Sequence, residues 1–401
     1  MSAPHAVISG ASIAGLSAAW WLRHTGWDVT VVERAPAFRD GGQNVDVRGV
    51  AKQVLERMGL TDAVRAANTT ETGTVLVDTE GRVTATLPEG PDGATAELEV
   101  LRGDLARTVR DALPDEVPFV FGERITDVDD TAPGHVAVTT TSGRTLRADL
   151  LVVAEGVRST TRALVFDHPG DVAERDLGVT MAFGTIPRTD SDDRRWRWYN
   201  AVGGRQVHLR PDPYDTTRAI LAWAGDDDGV TGAERTGVQA GLEERFADAG
   251  WQSRRVLDGF ATSDDVYVDR LTQVRMPVWR RGRVALVGDA AWCVTPMGGG
   301  GASLALTSGY VLAASVTGRS SDRADLDRAL AAFDDWMRPL VDDVQGIPRG
   351  IVRFAYPRTR LGLALRHVAD RVLLEGPLQG LAAKATRVAE TDRELPPVPV
   401  V

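Results

Sequence analysis

Three rhythms of apolar residues run along the chain, and each predicts a different element. Unbroken apolar runs occur at Ala6-Val7-Ile8 and Leu150 to Ala154, the mark of parallel strands covered on both faces, and Arg283 to Val287 reads as a further strand. A helical rhythm covers residues 14 to 25 and Asp104 to Leu113. It returns as a strongly apolar helix from Ala302 to Val316, entered through four consecutive glycines. Period-two alternation fills residues 73 to 101, "GTVLVDTEGRVTATLPEGPDGATAELEVL", and reads as antiparallel strands inserted into the parallel pattern. A hairpin is expected around Ser142-Gly143. From about 176 to 275 the text is mainly strands ("GVTMAFGTI", "RWRWYNA", "RQVHLRP", "TTRAILAWAG", "DVYVDRL"), with one helix at about 233 to 248. Arg323 to Arg338 and Leu361 to Val388 read as surface or capping helices, and "ELPPVPVV" as an extended tail.

This order predicts an α/β, Rossmann-like dinucleotide-binding fold with an interleaved, sheet-rich substrate domain and C-terminal helices. The expected segments are 1–72, 102–175 and 276–335 for the dinucleotide-binding part and 73–101 for the inserted strands. The substrate sheet takes 176–275, and a C-terminal helical region and tail 336–401. Composition narrows the chemistry. With 401 residues and 43% hydrophobic content the chain can bury a large core. No apolar run approaches a membrane span, and the start lacks a basic, cleavable leader, so a cytoplasmic protein is expected. The single Cys293 excludes an internal disulfide, and six scattered histidines show no close ligand pair, so no metal site is expected. A formal charge of -10 argues against nucleic acid as a partner.

The stretch "GASIAGLSAAWWLRHTGWDVTVVERA" carries the first candidate site. Gly10 permits the turn leaving the first strand, Gly15 lets the helix approach the sheet, and Ser12, Ile13 and Ala14 open that helix. Its N-terminal amides suit a pyrophosphate. Glu33, followed by Arg34, ends the next strand where a ribose diol is bound, and an acid there disfavours a 2'-phosphate, so FAD or NAD is expected rather than NADP. The second candidate is "GDAAWCVTPMGGGGAS". Asp289 follows a buried strand at the carboxyl-end crevice, and a flat ring beside the glycines from 298 to 301 would meet backbone alone. Cys293 reads as a small core side chain.

Gly10, Gly15 and Glu33, then Arg102, then "AEGVRSTTR", then "GDAAWCVTPMGGGGAS", together resemble the single-component FAD-dependent aromatic hydroxylases. That group contains para-hydroxybenzoate hydroxylase and the tetracycline-inactivating monooxygenases, and the architecture is closer to the latter. The resemblance covers about residues 5 to 335. It implies noncovalent FAD, with Arg102 on the cofactor phosphate and ribityl region and Asp289 on the ribityl chain. Pro296, Gly299, Gly300, Gly301 and Ala302 fall beside the isoalloxazine, with Ser303 at a position often held by Asn. Glu155-Gly156 stands for the family's Asp-Gly turn, with Ser159 and Arg162 retained. The implied reaction is hydroxylation of an aromatic or polycyclic molecule by O2 through a flavin C4a-hydroperoxide. The flavin carries the chemistry, so no catalytic side chain is expected. NADPH is the implied donor, with NADH the alternative. Epoxidation or dehydrogenation of a lipid or polyketide, and a nonenzymatic FAD-binding role, stay open, as does a monomer or a homodimer.

Candidate substrate-pocket residues are Trp196, Trp198, Tyr199, His208 and Trp223 on the strand-rich segment and Trp292 near the cofactor motif. For each of them packing is a competing role, since strand alternation turns only some of them inward. His208 is a candidate to hydrogen-bond or deprotonate a phenol. In "GGQNVDVRG", Gln43, Asp46 and Arg48 are candidates to hold polar substituents.

Overall fold

The structure, a computed structural model, describes residues 3–39, 41–87, 98–318, 322–348, 350–374 and 393–398. A six-stranded sheet runs in the order Arg280–Arg281, Val284–Leu286, Leu150–Val153, His5–Ser9, Asp28–Glu33, Phe119–Phe121. All neighbours are parallel except the short first strand. Its centre is dry: Ala6, Val7, Ile8 and Leu150 to Val153 have no exposed surface. Helices Ile13–His24 and Gly301–Val316 cross over it so closely that a Cβ on Gly309 would lie 2.4 Å from the amide nitrogen of Ala18. Ser17 Oγ donates to the Leu306 carbonyl across this contact (2.7 Å). A three-stranded meander, Ile125–Asp129, Val136–Thr140 and Thr145–Ala148, adds Val136, Val138 and Ala148 to the same core. Its last hairpin turns at Gly143 (φ 81°).

The second sheet has seven strands in the order Tyr267–Arg275, Ala173–Pro187, Thr216–Ala224, Arg205–Pro211, Trp196–Ala201, Thr74–Val77, Val83–Thr86. The segment expected to carry antiparallel strands, 73–101, holds the antiparallel pair Thr74–Val77 and Val83–Thr86, and that pair lies at the edge of this sheet. Thr74–Val77 pairs in parallel with Trp196–Ala201, Leu76 opposite Trp198, and extends the substrate sheet. Glu99–Leu101 instead pairs with Asn44–Asp46, and residues 88–97 lie outside the described residues. One face of the seven-stranded sheet buries Val77, Val207, Leu209 and Leu221 against helices Arg235–Phe246 and Ser253–Thr262. The other face carries Met181, Phe183 and Ile220, which pack with Met297 of the glycine motif and with Tyr356.

Helix Arg323–Gln345 continues beyond Arg338, whose guanidinium donates to the Met276 and Pro277 carbonyls. Helices Ile351–Ala355 and Arg360–Leu374 follow, and the helical reading of 375–388 falls outside the described residues. The tail packs against the core: Leu395 is buried and Tyr310 Oη donates to the Pro396 carbonyl (2.5 Å). Among the described residues no helix is long and apolar enough to cross a membrane.

Candidate functional site

The first turn is built for backbone contact. Gly10 has φ 110°, and a Cβ there would stand 2.5 Å from the Ala154 carbonyl oxygen; on Gly15 it would stand 1.9 Å from that of Gly10. Neither position accepts a side chain. Ser12 is the extended N-cap of the 12-residue helix and makes no cap hydrogen bond, so the first-turn amides are not closed off by its hydroxyl. That hydroxyl accepts from Arg102 Nη2 (2.7 Å) instead. Ile13 and Ala14 are buried, and Ala14 Cβ lies 2.6 Å from where a Cβ of Gly288 would be, which brings the early and late motifs into contact. Glu33 accepts from the amides of Ala11 (2.9 Å) and Ala35 (2.8 Å), so its carboxylate braces the glycine turn. Arg34 is exposed.

Glu155 is occupied by its own neighbourhood. Its oxygens accept from Ser9 Oγ, Ser159 Oγ, Thr161 Oγ1 and the Thr161 amide, at 2.5 to 2.9 Å. The longer acid thus pins the first strand to helix Thr160–Val165, and Gly156 (φ 82°) beside it opens onto free space. Arg162 is buried and donates to the Ala290 carbonyl (3.0 Å), joining this turn to the late motif.

Asp289 opens the helical turn after the Val284–Leu286 strand. Asp289 is exposed between the buried Gly288 and Ala290. Desolvation raises its carboxyl above the ordinary range, Arg102 across the cleft lowers it, and Asp269 raises it further. Pro296 is exposed at the head of the glycine turn, Gly299 and Gly300 both have φ 67°, and Gly301 and Ala302 begin the long apolar helix. A Cβ on Gly298 would fall 2.8 and 2.9 Å from the carbonyls of Val294 and Val344. Thr295 has φ 67° and a buried hydroxyl with no partner, a strained residue placed beside the cradle. Cys293 is buried in the main core, where desolvation pushes its thiol up. The donor set therefore fits FAD: two helix N-termini, a glycine-lined cradle, an arginine and two flanking carboxylates.

Ser303 ties this cradle to the 43–49 loop, receiving the Arg48 amide (2.9 Å) and donating to the Asp46 carbonyl (3.1 Å). Arg48 also forms an ion pair with Asp46 (3.1 Å). The Gln43 carbonyl receives the Arg102 amide (2.9 Å), while Gln43 Oε1 is buried without a partner.

Strand register decides which aromatics face the cradle. Trp198 lies opposite His208, and His208 opposite Ile220, whose side chain packs with Met297. Trp196, Trp198 and His208 form one stacked group, with ring centroids 4.7 to 5.6 Å apart. Trp196 Nε1 donates to His208 Nδ1 (3.1 Å) and His208 Nε2 meets Gln206 Oε1 (3.2 Å), so both ring nitrogens are engaged. Burial, with Arg210 nearby, pushes the imidazole down to about 3. His208 is thus a neutral structural ring, which removes it as a base toward a phenol. Three other candidates are corrected by position. Tyr199 and Trp223 point to the opposite face, where Tyr199 Oη donates to the Ala249 carbonyl (2.9 Å) and Trp223 Nε1 to that of Asp226 (3.0 Å). Trp292 is 1% exposed and packs edge-on against Trp279 (4.4 Å) in the main core.

Sequence reasoning missed the charges under this aromatic face. Arg210 lies 4.0 Å above the Trp196 ring and pairs with Glu71 and Glu99, both at 2.9 Å. Glu99 also receives Asn44 Nδ2 (2.7 Å) and Thr69 Oγ1 (2.9 Å). Desolvation pushes Glu71 up to about 8 despite Arg210, with Glu99 adding to the rise. Two carboxyls sharing one guanidinium do not both ionise cheaply, so Glu71 holds a proton at neutral pH. The signal available was the polar set Gln206, His208 and Arg210 alternating with Val207 and Leu209.

The chain matches the family model for an FAD binding domain over residues 4–331. It is 34% identical over 387 residues to the flavin-dependent monooxygenase eupH of Phoma sp, covering 90% of each protein. Its fold is similar to that of tetracycline destructase Tet(51), with TM-score 0.80, 26% identity and 100% of both chains covered. Tetracycline destructase Tet(55) gives TM-score 0.79 at 28% identity over 99% of both chains.

Proposed function

The chain belongs to the FAD-dependent monooxygenases, and from that premise we propose that it hydroxylates an aromatic or polycyclic small molecule, with NADPH as reductant and dioxygen as oxygen source. The observation that carries this reading is the stacked Trp196, Trp198 and His208 group, which strand register places on the same sheet face as Ile220, a neighbour of Met297 of the glycine motif. A flat ring is received between such a face and a cradle of bare backbone. Likeness to proteins named tetracycline destructases supports a fused-ring substrate.

FAD, when bound, supplies electron transfer from reduced nicotinamide to dioxygen. The amides after Gly10 and the Arg102 guanidinium would take its phosphates, Glu33 its ribose and Asp289 its ribityl chain. Gly298 to Gly301 would flank its ring, where the N-terminus of helix Gly301–Val316 would favour negative charge. Asp46 and Arg48 are fixed to that helix through Ser303, Gln43 is fixed to Arg102, and the three are read as the border of the substrate space. Their work, with the tryptophans, is orientation and exclusion of water.

Turnover of the best ligand under labelled dioxygen tests the proposal, with peroxide measured alongside. One labelled oxygen is expected in the product. A coupled reaction whose product carries none overturns hydroxylation and favours dehydrogenation. Anaerobic mixing with NADPH is expected to bleach the oxidised flavin; failure with both NADPH and NADH removes direct nicotinamide use.

A further inference from the structure

Strand Glu99–Leu101 runs directly into helix Arg102–Asp111, and Arg102 is the first residue of that helix. Arg102 is exposed and reaches the glycine turn, donating to Ser12 Oγ (2.7 Å). A guanidinium aimed at a phosphate has to be placed to within about 0.5 Å by the groups that support it. The supports here come from the other sheet. Glu99, three positions before Arg102 and 2% exposed, pairs with Arg210 (2.9 Å). Asp104, two positions after it and 4% exposed, receives Tyr214 Oη and Arg107 Nη1, both at 2.7 Å, on the single oxygen Oδ1. Arg210 lies near the end of strand Arg205–Pro211, and Tyr214 lies in the turn that joins this strand to Thr216–Ala224. One hairpin of the substrate sheet thus brackets Arg102 at two points.

The turn is stiff. Buried Asp212 accepts from the amides of Tyr214 (2.9 Å) and Thr216 (3.1 Å), from Thr216 Oγ1 and from Arg218 Nε (3.0 Å). Arg218 also pairs with Asp265 (3.2 Å), which receives the Thr185 amide (2.9 Å) of strand Ala173–Pro187. Tyr214 is therefore carried by the sheet as a fixed arm. The two grips differ in kind: Arg210 and Glu99 are packed inside, whereas Tyr214 is 54% exposed and holds the helix by one phenol hydrogen bond.

We propose that this hairpin is a clamp for Arg102: Tyr214 is a positioning residue that fixes, through Asp104, the first turn of helix Arg102–Asp111, and so sets how tightly the enzyme holds the phosphates of FAD. The sheet read as the substrate floor then also grips the arginine of the cofactor. The clamp rests on the reading of Arg102 as a phosphate contact, and on neither oxygen transfer nor the identity of the reductant.

Release of FAD from the loaded enzyme, followed by the rise of flavin fluorescence after dilution, tests this. Tyr214→Phe removes only the hydroxyl and is expected to speed release about fivefold, which leaves the isolated enzyme saturated. Arg102→Gln is expected to speed it at least about tenfold. Because the clamp acts through the guanidinium, adding Tyr214→Phe to Arg102→Gln should change release by less than about twofold. A bond that served only the fold would give one factor in both backgrounds. A second measurement needs no Arg102 variant, and decides the matter should Arg102→Gln be recovered without flavin. Raising NaCl from about 0.05 to about 0.5 M should speed release from the wild type about threefold and from Tyr214→Phe less than about 1.5-fold, since the displaced guanidinium has less attraction left to screen. Unchanged release in Tyr214→Phe, equal factors in the two backgrounds, or equal salt dependence overturns the clamp alone. Unchanged release in Arg102→Gln overturns the assignment of Arg102 to the phosphates, and the clamp with it.

Discussion

The cofactor side of the cleft and the sheet side are made from different parts of the amino acid. On the cofactor side the surface is main chain: Gly10, Gly15 and Gly298 stand where a Cβ would strike a carbonyl, and two helices end there with their amides forward. On the sheet side the surface is side chain, with Trp196, Trp198 and His208 stacked above Arg210 and its acids. Backbone surfaces recognise what is common to every dinucleotide and permit few replacements. Side-chain surfaces can be rewritten residue by residue, which is how one fold serves many substrates.

Substitutions that separate the two sides test this contrast. The largest effect belongs to Arg210→Met, which leaves the buried Glu99 carboxylate without its cation. A loss of about 3–5 kcal/mol in unfolding free energy is expected from urea titration, with full FAD content in the folded fraction. Loss of FAD from folded protein would blur the division. Gly15→Ala reverses the pattern. Its Cβ would sit 1.9 Å from the Gly10 carbonyl, so flavin retention through gel filtration should fall at least about 100-fold, close to 2.7 kcal/mol. A flavin-replete Gly15→Ala enzyme would show that the turn is not a backbone cradle.

A smaller effect comes from pH. The Glu71 carboxyl rises from 4.5 to about 8 on folding. Folding therefore takes up a proton between those values, and the stability Glu71 contributes is present at low pH and lost as pH climbs toward 8. The wild-type protein should lose about 1 kcal/mol per unit from pH 5 to 7.5 relative to Glu71→Gln, whose own profile lacks this component. Parallel profiles would place the proton elsewhere. The smallest effect is expected of Tyr199→Phe on the far face: about 1 kcal/mol of stability from the lost bond to Ala249, and a substrate KM unchanged within about twofold. A larger KM change would mean that the far face reaches the substrate.

The same contrast explains what could be read in the amino-acid order. The Ala6-Val7-Ile8 strand, the Gly10 turn, helix Ile13–His24 and strand Asp28–Glu33 are contiguous, and their local signals agree with the structure to within a residue or two. The Glu71–Arg210–Glu99 cluster joins residues 139 and 111 positions apart. No local window contains it. The alternation Gln206, His208, Arg210 against Val207, Leu209 reads as a strand with one wet face, yet both faces are covered here, one by helices and the other by the Met297 and Tyr356 cluster. That second covering is why a polar stripe became a buried network, and why Tyr199 and Trp223 could not be sorted from Trp196 and Trp198. The pairing of Thr74–Val77 with Trp196–Ala201 was hidden for the same reason: strand partners are chosen by tertiary packing.

The order of strands in the six-stranded sheet bears on how the protein is made. His5–Ser9 lies between Asp28–Glu33 and Leu150–Val153, and the latter finds its outer neighbour only in Val284–Leu286. A ribosome has to polymerise the whole substrate sheet before the nucleotide-binding sheet can close. During that interval the apolar edge of Leu150–Val153 is a surface for chaperones or for aggregation. Slowing translation or raising holdase levels should therefore improve recovery of active enzyme more than lengthening refolding, and chain breaks placed before residue 284 should yield no soluble nucleotide-binding fragment.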